Sequence, residues 1–145
     1  MDLLRQAIKF AENYHNGQTD KAGSPYVWHL CRVAERVDTE EEKVVAWLHD
    51  TLEDRPEMCV QGQLYSFELI YGVEVANALK AITRLPDESY ADYIKRVKKN
   101  PLATKVKISD LIDNSNLQRL GTVTVEDVLR QKKYNKALLY LMKGE

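Results

Sequence analysis

Cysteine is scarce in this chain of 145 residues: Cys31 and Cys59 are the two, and no CxxC pair exists. That excludes a cysteine-built zinc pair. Together with the lack of a secretory leader, two lone cysteines give the expectation of a reducing, cytoplasmic setting, with Cys31 packed in a helix and Cys59 in a loop. No apolar run approaches the length of a membrane span, so no membrane association is expected. Charge of one sign is lacking too. The 21 basic and 22 acidic residues leave a net charge of −1, which argues against nucleic-acid binding by bulk electrostatics. What is present is 44% hydrophobic and 30% charged residue, the balance of an ordinary globular protein, and the length suits a single domain over residues 1–145.

The punctuation reads as all-α. Leu3, Leu4, Ile8, Ala11 and Tyr14 recur at helical spacing over 2–16. Gly17 to Gly23 is a polar loop. Ser24 before Pro25 signals an N-cap and a first-turn proline for a helix to about Val37. Thr39 with Glu42 forms a capping box for a third helix that runs into an acidic cluster. Residues 54–63 are expected as a loop, with Ser66 capping a short helix to Tyr71. Further helices are expected over 73–83, from Ser89 to Lys99, from Asn100 to Asn114, and from the Thr124/Asp127 cap to about Lys143. No strand, repeat or low-complexity tract is evident, and the expectation is a compact multi-helix bundle.

The run His49-Asp50-Thr51-Leu52-Glu53-Asp54 carries the chemistry. An imidazole and three carboxylates follow the apolar stretch Val44 to Leu48. On a continuing helix, His49 would stack over Glu53 and Asp50 over Asp54. Burying that much negative charge needs compensation, and a bound metal ion supplies it, leaving acids free for proton transfer. His29 lies on the preceding helix, which the Asp38-Thr39 turn would bring back near His49. Asp110 and Asp113, where the apolar stretch from Val106 abruptly presents acids, are the further candidates. Mixed imidazole and carboxylate ligation suits Mn²⁺, Fe²⁺ or Zn²⁺ better than Ca²⁺.

Other polar features read more plainly. The loop from Asn16 to Tyr26 allows close approach of a ligand, and Lys21 could meet a phosphate; a solvated connection is the simpler reading. The cluster Arg96, Lys98 and Lys99 reads as a solvated helix face. Of Lys105 and Lys107, at least one should point to solvent. His15 is expected exposed at a helix end, and Tyr90, Tyr93 and Tyr134 as core or partly buried aromatics.

Four blocks together resemble the HD-domain metal phosphohydrolases, most closely the hydrolase domain of the RelA/SpoT group and its small single-domain relatives. They are His15-Asn16-Gly17-Gln18 with Gly23 to His29; Ala46 to Asp54; Ile82-Thr83-Arg84 followed by Tyr90 to Ile94; and Val106 to Asn114. The segment from Lys133-Tyr134 to Leu138 also fits. The resemblance implies an HD-domain bundle that binds a divalent metal, usually Mn²⁺, through His29, His49, Asp50 and Asp110. It implies that Glu53 and Asp54 position or activate the attacking water, and that Lys21 and Asn114 contact the substrate nucleotide. Asp113 is a neighbour of the ligand set and not part of it. The sequence departs from the pattern at Asp20, where the family usually has the first of two basic loop residues, and at Leu111 and Leu117.

The function implied is metal-dependent release of pyrophosphate from the 3′ position of guanosine 3′,5′-bis(diphosphate), with a small nucleotide as the partner. Two alternatives stand beside it: a phosphohydrolase for another nucleotide, which Asp20 favours, and a non-catalytic nucleotide-binding module, which has no need of Glu53 and Asp54. A homo-oligomer stays open.

Overall fold

The computed structural model describes residues 2–53 and 55–144. Among them lie eight α-helices and one 3₁₀ turn: α1 (Leu3–Tyr14), α2 (Tyr26–Glu35), α3 (Glu40–Leu48), the 3₁₀ turn His49–Thr51, α4 (Glu57–Tyr71), α5 (Val73–Ile82), α6 (Tyr90–Lys98), α7 (Pro101–Asn114) and α8 (Val125–Met142). The sole strand-like pairing among those residues is an isolated bridge between Thr19 and Pro25. No helix there is long and apolar enough to cross a membrane.

Helices α3 and α7 form the centre. They pack on each other and on α2 and α5; α1 covers α3, and α6 and α8 cover α7. Their facing side chains are apolar and fully buried, among them Val45, Leu48, Ala103, Val106 and Leu111. The site residues at the end of α3 and in the last turn of α7 therefore stand on the most constrained part of the fold. Leu111, a departure from the family pattern, is fully buried in the core.

The caps form as their residue types dictate. Thr39 Oγ1 accepts the Glu42 N–H at 3.1 Å while Glu42 Oε1 accepts the N–H groups of Thr39 and Asp38 at 3.0 and 2.8 Å. The Thr124/Asp127 box closes likewise, and Ser89 and Asn100 cap α6 and α7. Ser24 does not cap α2. Its N–H is taken by Asp20 Oδ1 and its carbonyl by the Asp20 N–H, so Pro25 stands at the cap without a side-chain bond.

Three expectations about order and exposure are corrected. Residues 57–63 are helical, and α4 is one helix from Glu57, not a loop followed by a short helix capped at Ser66. Pro56 opens it, and Val60, Leu64, Phe67 and Tyr71 give it one stripe against the core. Gly62 falls on the exposed side, where its cost of about 1 kcal/mol is tolerated. Cys59 accordingly sits in a helix, and both cysteines are free and exposed, Cys31 included. Arg96 is no solvated cation: its guanidinium donates to Glu88 and to the carbonyls of Lys80, Ala81 and Thr83, tying the end of α5 to α6. Gly72, at φ 98, turns the chain between α4 and α5 in a conformation that L side chains rarely adopt.

Candidate functional site

Helix α3 ends at Leu48, so the expected column of His49 over Glu53 does not form; the second expected column, Asp50 over Asp54, involves a residue outside the described ones. His49 Nδ1 donates to the Ala46 carbonyl at 2.6 Å and Thr51 Oγ1 donates to the Leu48 carbonyl at 2.7 Å. These side chains satisfy carbonyls at the helix end, and the chain tightens into the 3₁₀ turn. His49 and Asp50 are thereby aimed at the same point: His49 Nε2 lies 3.3 Å from Asp50 Oδ2. Glu53 turns elsewhere and accepts the Arg84 N–H at 3.0 Å. Asp54 lies outside the described residues.

The structure brings His29, His49, Asp50 and Asp110 together, with one ligand atom from each all within 4.8 Å of one another. Asp110 Oδ1 is the hub, 2.9 Å from His29 Nε2 and 3.3 Å from His49 Nε2. Its other oxygen accepts Lys107 Nζ at 2.9 Å, and Asn114 Nδ2 donates to Oδ1 at 3.2 Å. Asp113, adjoining the set as expected, accepts His29 Nδ1 at 2.6 Å. Its two oxygens are further held by Arg32, Arg36 and Arg119. Of Lys105 and Lys107, only Lys105 points to solvent.

The tautomers decide what this cluster can hold. Both Nδ1 atoms face acceptors and must carry the proton, so each neutral imidazole presents its Nε2 lone pair to carboxylate oxygens. Lone pair against lone pair is unfavourable without a cation between them. A proton can fill that role, and so can a divalent metal, for which oriented imidazoles with hydrogen-bonded Nδ1 are the usual donors. The two nitrogens and two carboxylates fit such an ion.

The titration behaviour follows from the same contacts. Burial pushes His29 down, but its bonds to Asp110 and Asp113 outweigh that and raise its pKa to about 9. His49 is also raised, against burial, by Asp50 and Asp110. Burial opposes ionisation of Asp110, yet Lys107 and the two imidazoles hold it well below the usual carboxylate range. Burial lifts Glu53, reinforced by Asp50 and opposed by the Arg84 N–H. Tyr26 donates its hydroxyl to Asp50 Oδ2, and burial with the charge of Asp50 pushes its pKa far up.

Because His29 is raised above its unfolded value near 6.5, its contribution to stability is present below that pH and lost as pH rises through about 9. Metal-free protein should therefore lose on the order of 3 kcal/mol across this window, seen as a falling melting temperature in chelator-treated samples. A divalent cation, which replaces the proton, should restore it at the alkaline end. A melting temperature that stays level or rises from pH 6.5 to 9 in chelator would contradict the assignment of His29 to this cluster.

A cavity of about 300 Å³ opens beside His29. Lys21 and Asn114, the two expected substrate contacts, both line it. So do Leu117 and Tyr134, expected as a departure from the family pattern and as a partly buried aromatic, and Arg119 and Arg130, to which the sequence reading assigned no role. Asp20 is spent on its own loop, accepting the N–H groups of Ala22 and Ser24, and Arg119 stands 3.6 Å from its other oxygen. Arg119 thus brings a cation to the place where the family pattern has a basic loop residue. Lys21 itself lies 3.8 Å from Asp127. His15 was expected exposed and is buried, bonded to Gln18 and packed 5.0 Å from Tyr26, so it supports the Tyr26 wall of the site.

Comparison with known proteins points the same way. No family model matches the chain. In sequence it is similar to the bifunctional (p)ppGpp synthase/hydrolase SpoT of Escherichia coli (strain K12), 32% identical over 93 residues, which is 61% of this chain and 12% of that protein. It is similar to a guanosine-3′,5′-bis(diphosphate) 3′-pyrophosphohydrolase of Aquifex aeolicus (strain VF5), 29% identical over 123 residues, 77% of this chain and 17% of that protein. The chain thus spans less than a fifth of the length of these curated relatives. Among solved structures, one described as a metazoan ortholog of SpoT that hydrolyzes ppGpp superposes with a TM-score of 0.78 over 99% of this chain and 87% of the other, at 21% identity. The fold is the all-α HD fold, and the chain is a sequence relative of the RelA/SpoT-type hydrolases, as the four motif blocks led one to expect.

Proposed function

We propose that this chain is a metal-dependent phosphohydrolase that releases pyrophosphate from the 3′ position of guanosine 3′,5′-bis(diphosphate), leaving the nucleoside 5′-diphosphate. The observation that carries the proposal is the convergence of His29, His49, Asp50 and Asp110 within 4.8 Å beside a cation-lined cavity. These four residues hold the metal, for which Mn²⁺ is the choice the resemblance implies. A divalent cation there supplies Lewis acidity toward a phosphoryl oxygen and toward the attacking water.

The protein's own residues do the remaining work. Asp113 and the Ala46 carbonyl fix the two imidazoles, and the Tyr26 hydroxyl fixes Asp50. Glu53, made more basic by burial, takes the proton from the water that attacks phosphorus, and the departing ribose 3′ oxygen gains a proton as its bond to phosphorus breaks. Asp54 shares this task on the strength of the resemblance alone. Lys21 and Arg119, both lining the cavity, offset substrate charge, and Asn114 contacts the sugar or base while steadying Asp110.

The test is a substrate panel with Mn²⁺ present, with products separated by ion exchange. Pyrophosphate and GDP from the tetraphosphate, with little orthophosphate from nucleoside monophosphates, is the expected pattern. Preferential release of orthophosphate from a monophosphate would favour the reading as a phosphatase of another nucleotide. Tight nucleotide binding without turnover would favour a binding module.

A further inference from the structure

Tyr90 carries a hydroxyl that is buried and has no hydrogen-bond partner. Leaving such a group unpaired is unfavourable, and at a site such a donor signals a missing acceptor. Its surroundings say which acceptor. Lys133 Nζ lies 4.4 Å from the Tyr90 ring centroid and the Arg84 guanidinium 5.6 Å from it. Neither cation is paired with a carboxylate among the described residues. Burial and the charges of Arg84, Arg130 and Lys107 all press on the Lys133 ammonium. Arg130 and Lys107 are neutralised by Asp127 and Asp110, so it is Lys133 and Arg84 that bring uncompensated positive charge beside the Tyr90 ring, a place suited to an anion.

The location ties this cluster to the site. The Tyr90 ring packs 6.3 Å from that of Tyr134, which lines the cavity beside His29. The charges of Lys107 and Asp110 act on its hydroxyl. Tyr90 and Lys133 also line a groove of about 450 Å³ between α6 and α8, together with Lys95 and Lys136 and, among the described residues, no acidic one. A phosphate group in this groove would meet the ammonium groups of Lys133, Lys95 and Lys136 beside the Tyr90 side chain, whose unpartnered hydroxyl is buried behind them.

We propose that Tyr90 and Lys133 form a phosphate subsite that receives the second phosphorylated end of the substrate, the end not being hydrolysed. Tyr90 donates its hydroxyl to a phosphate oxygen and Lys133 supplies charge, so the pair sets specificity for a nucleotide carrying phosphate at two positions. The proposal rests on the phosphohydrolase reading above and deepens it.

The experiment compares Tyr90→Phe and Lys133→Gln with the parent protein, both metal-loaded. On guanosine 3′,5′-bis(diphosphate), KM should rise about tenfold in Lys133→Gln and several-fold in Tyr90→Phe with kcat little changed, the size expected for one charge-assisted and one neutral hydrogen bond. On an analogue with phosphate at the 3′ position alone, parent and variants should coincide, and Lys133→Arg should recover most of the loss. Equal effects on both substrates, or none on either, would overturn the subsite. Calorimetric titration of inorganic pyrophosphate gives a readout without turnover: weaker binding to Lys133→Gln than to the parent is expected, and equal binding would overturn it. A parent that binds pyrophosphate through Lys133 yet hydrolyses no nucleotide would keep the subsite and sink the hydrolase reading.

Discussion

Asp110→Asn should abolish tight metal binding and lower metal-dependent turnover by roughly three orders of magnitude. The effect is large because one carboxylate serves four neighbours. Its Oδ1 faces both imidazole Nε2 atoms, at 2.9 and 3.3 Å, and accepts from Asn114. Its Oδ2 neutralises Lys107, whose ammonium is largely buried and raised in pKa, against burial, by this carboxylate. An amide removes the negative charge from the centre and leaves Lys107 without a counterion. Breaking such a pair costs about 3–5 kcal/mol, so the variant should also melt lower, with or without metal. Calorimetry with Mn²⁺, turnover and thermal unfolding read the three effects separately. Retention of stoichiometric Mn²⁺ binding by a folded Asp110→Asn protein would remove Asp110 from the ligand set.

Glu53→Gln should leave metal binding intact and lower kcat by about 10²–10⁴-fold, the range for losing a positioned proton acceptor. Glu53 is not among the four clustered ligands, and its Oε1 is anchored by the Arg84 N–H. Glutamine keeps that hydrogen bond, so the loop should hold its shape while the base is lost. The parent's pH profile carries the same signature. Because burial raises the Glu53 pKa, the active carboxylate form is lost as pH falls through a value above the ordinary glutamate range, and activity should fall on that acidic limb. A Glu53→Gln enzyme with unchanged kcat would refute its role as base.

Much of this was legible because local signals are strong. The Thr39/Glu42 and Thr124/Asp127 boxes and the Asn100-Pro101 pair set three helix starts within a residue, because capping geometry involves neighbours three apart. The approach of His29 to His49 was expected from the Asp38-Thr39 turn, but the choice of Asp110 over Asp113 rested on the motif blocks: His29 and Asp110 are 81 residues apart, and no periodicity relates them. For the same reason the bonds from Asp113 to His29 and from Tyr26 to Asp50 went unassigned, although all four residues lie within the quoted motifs. The stacked column of His49 over Glu53 failed because the His49 and Thr51 side chains take the carbonyls of Ala46 and Leu48 at the helix end. The α4 start was missed because Pro56 and Gly62 read as loop punctuation, whereas one opens the helix and the other is tolerated on its exposed side. Arg96 was read as solvated and Arg119 was given no role, because a cation's worth depends on what faces it. The carbonyls at the end of α5, and the paired oxygens of Asp20 and Asp113, come together only in the folded chain.

The most direct test of the account is the time course of guanosine 3′,5′-bis(diphosphate) loss with purified protein, in Mn²⁺ and again after chelator treatment with the metal restored. The account predicts release of pyrophosphate and GDP in Mn²⁺, none in chelator, and recovery on adding the ion back. Protein that binds one Mn²⁺ per chain and leaves the tetraphosphate intact, or that cleaves it equally well in chelator, would contradict it.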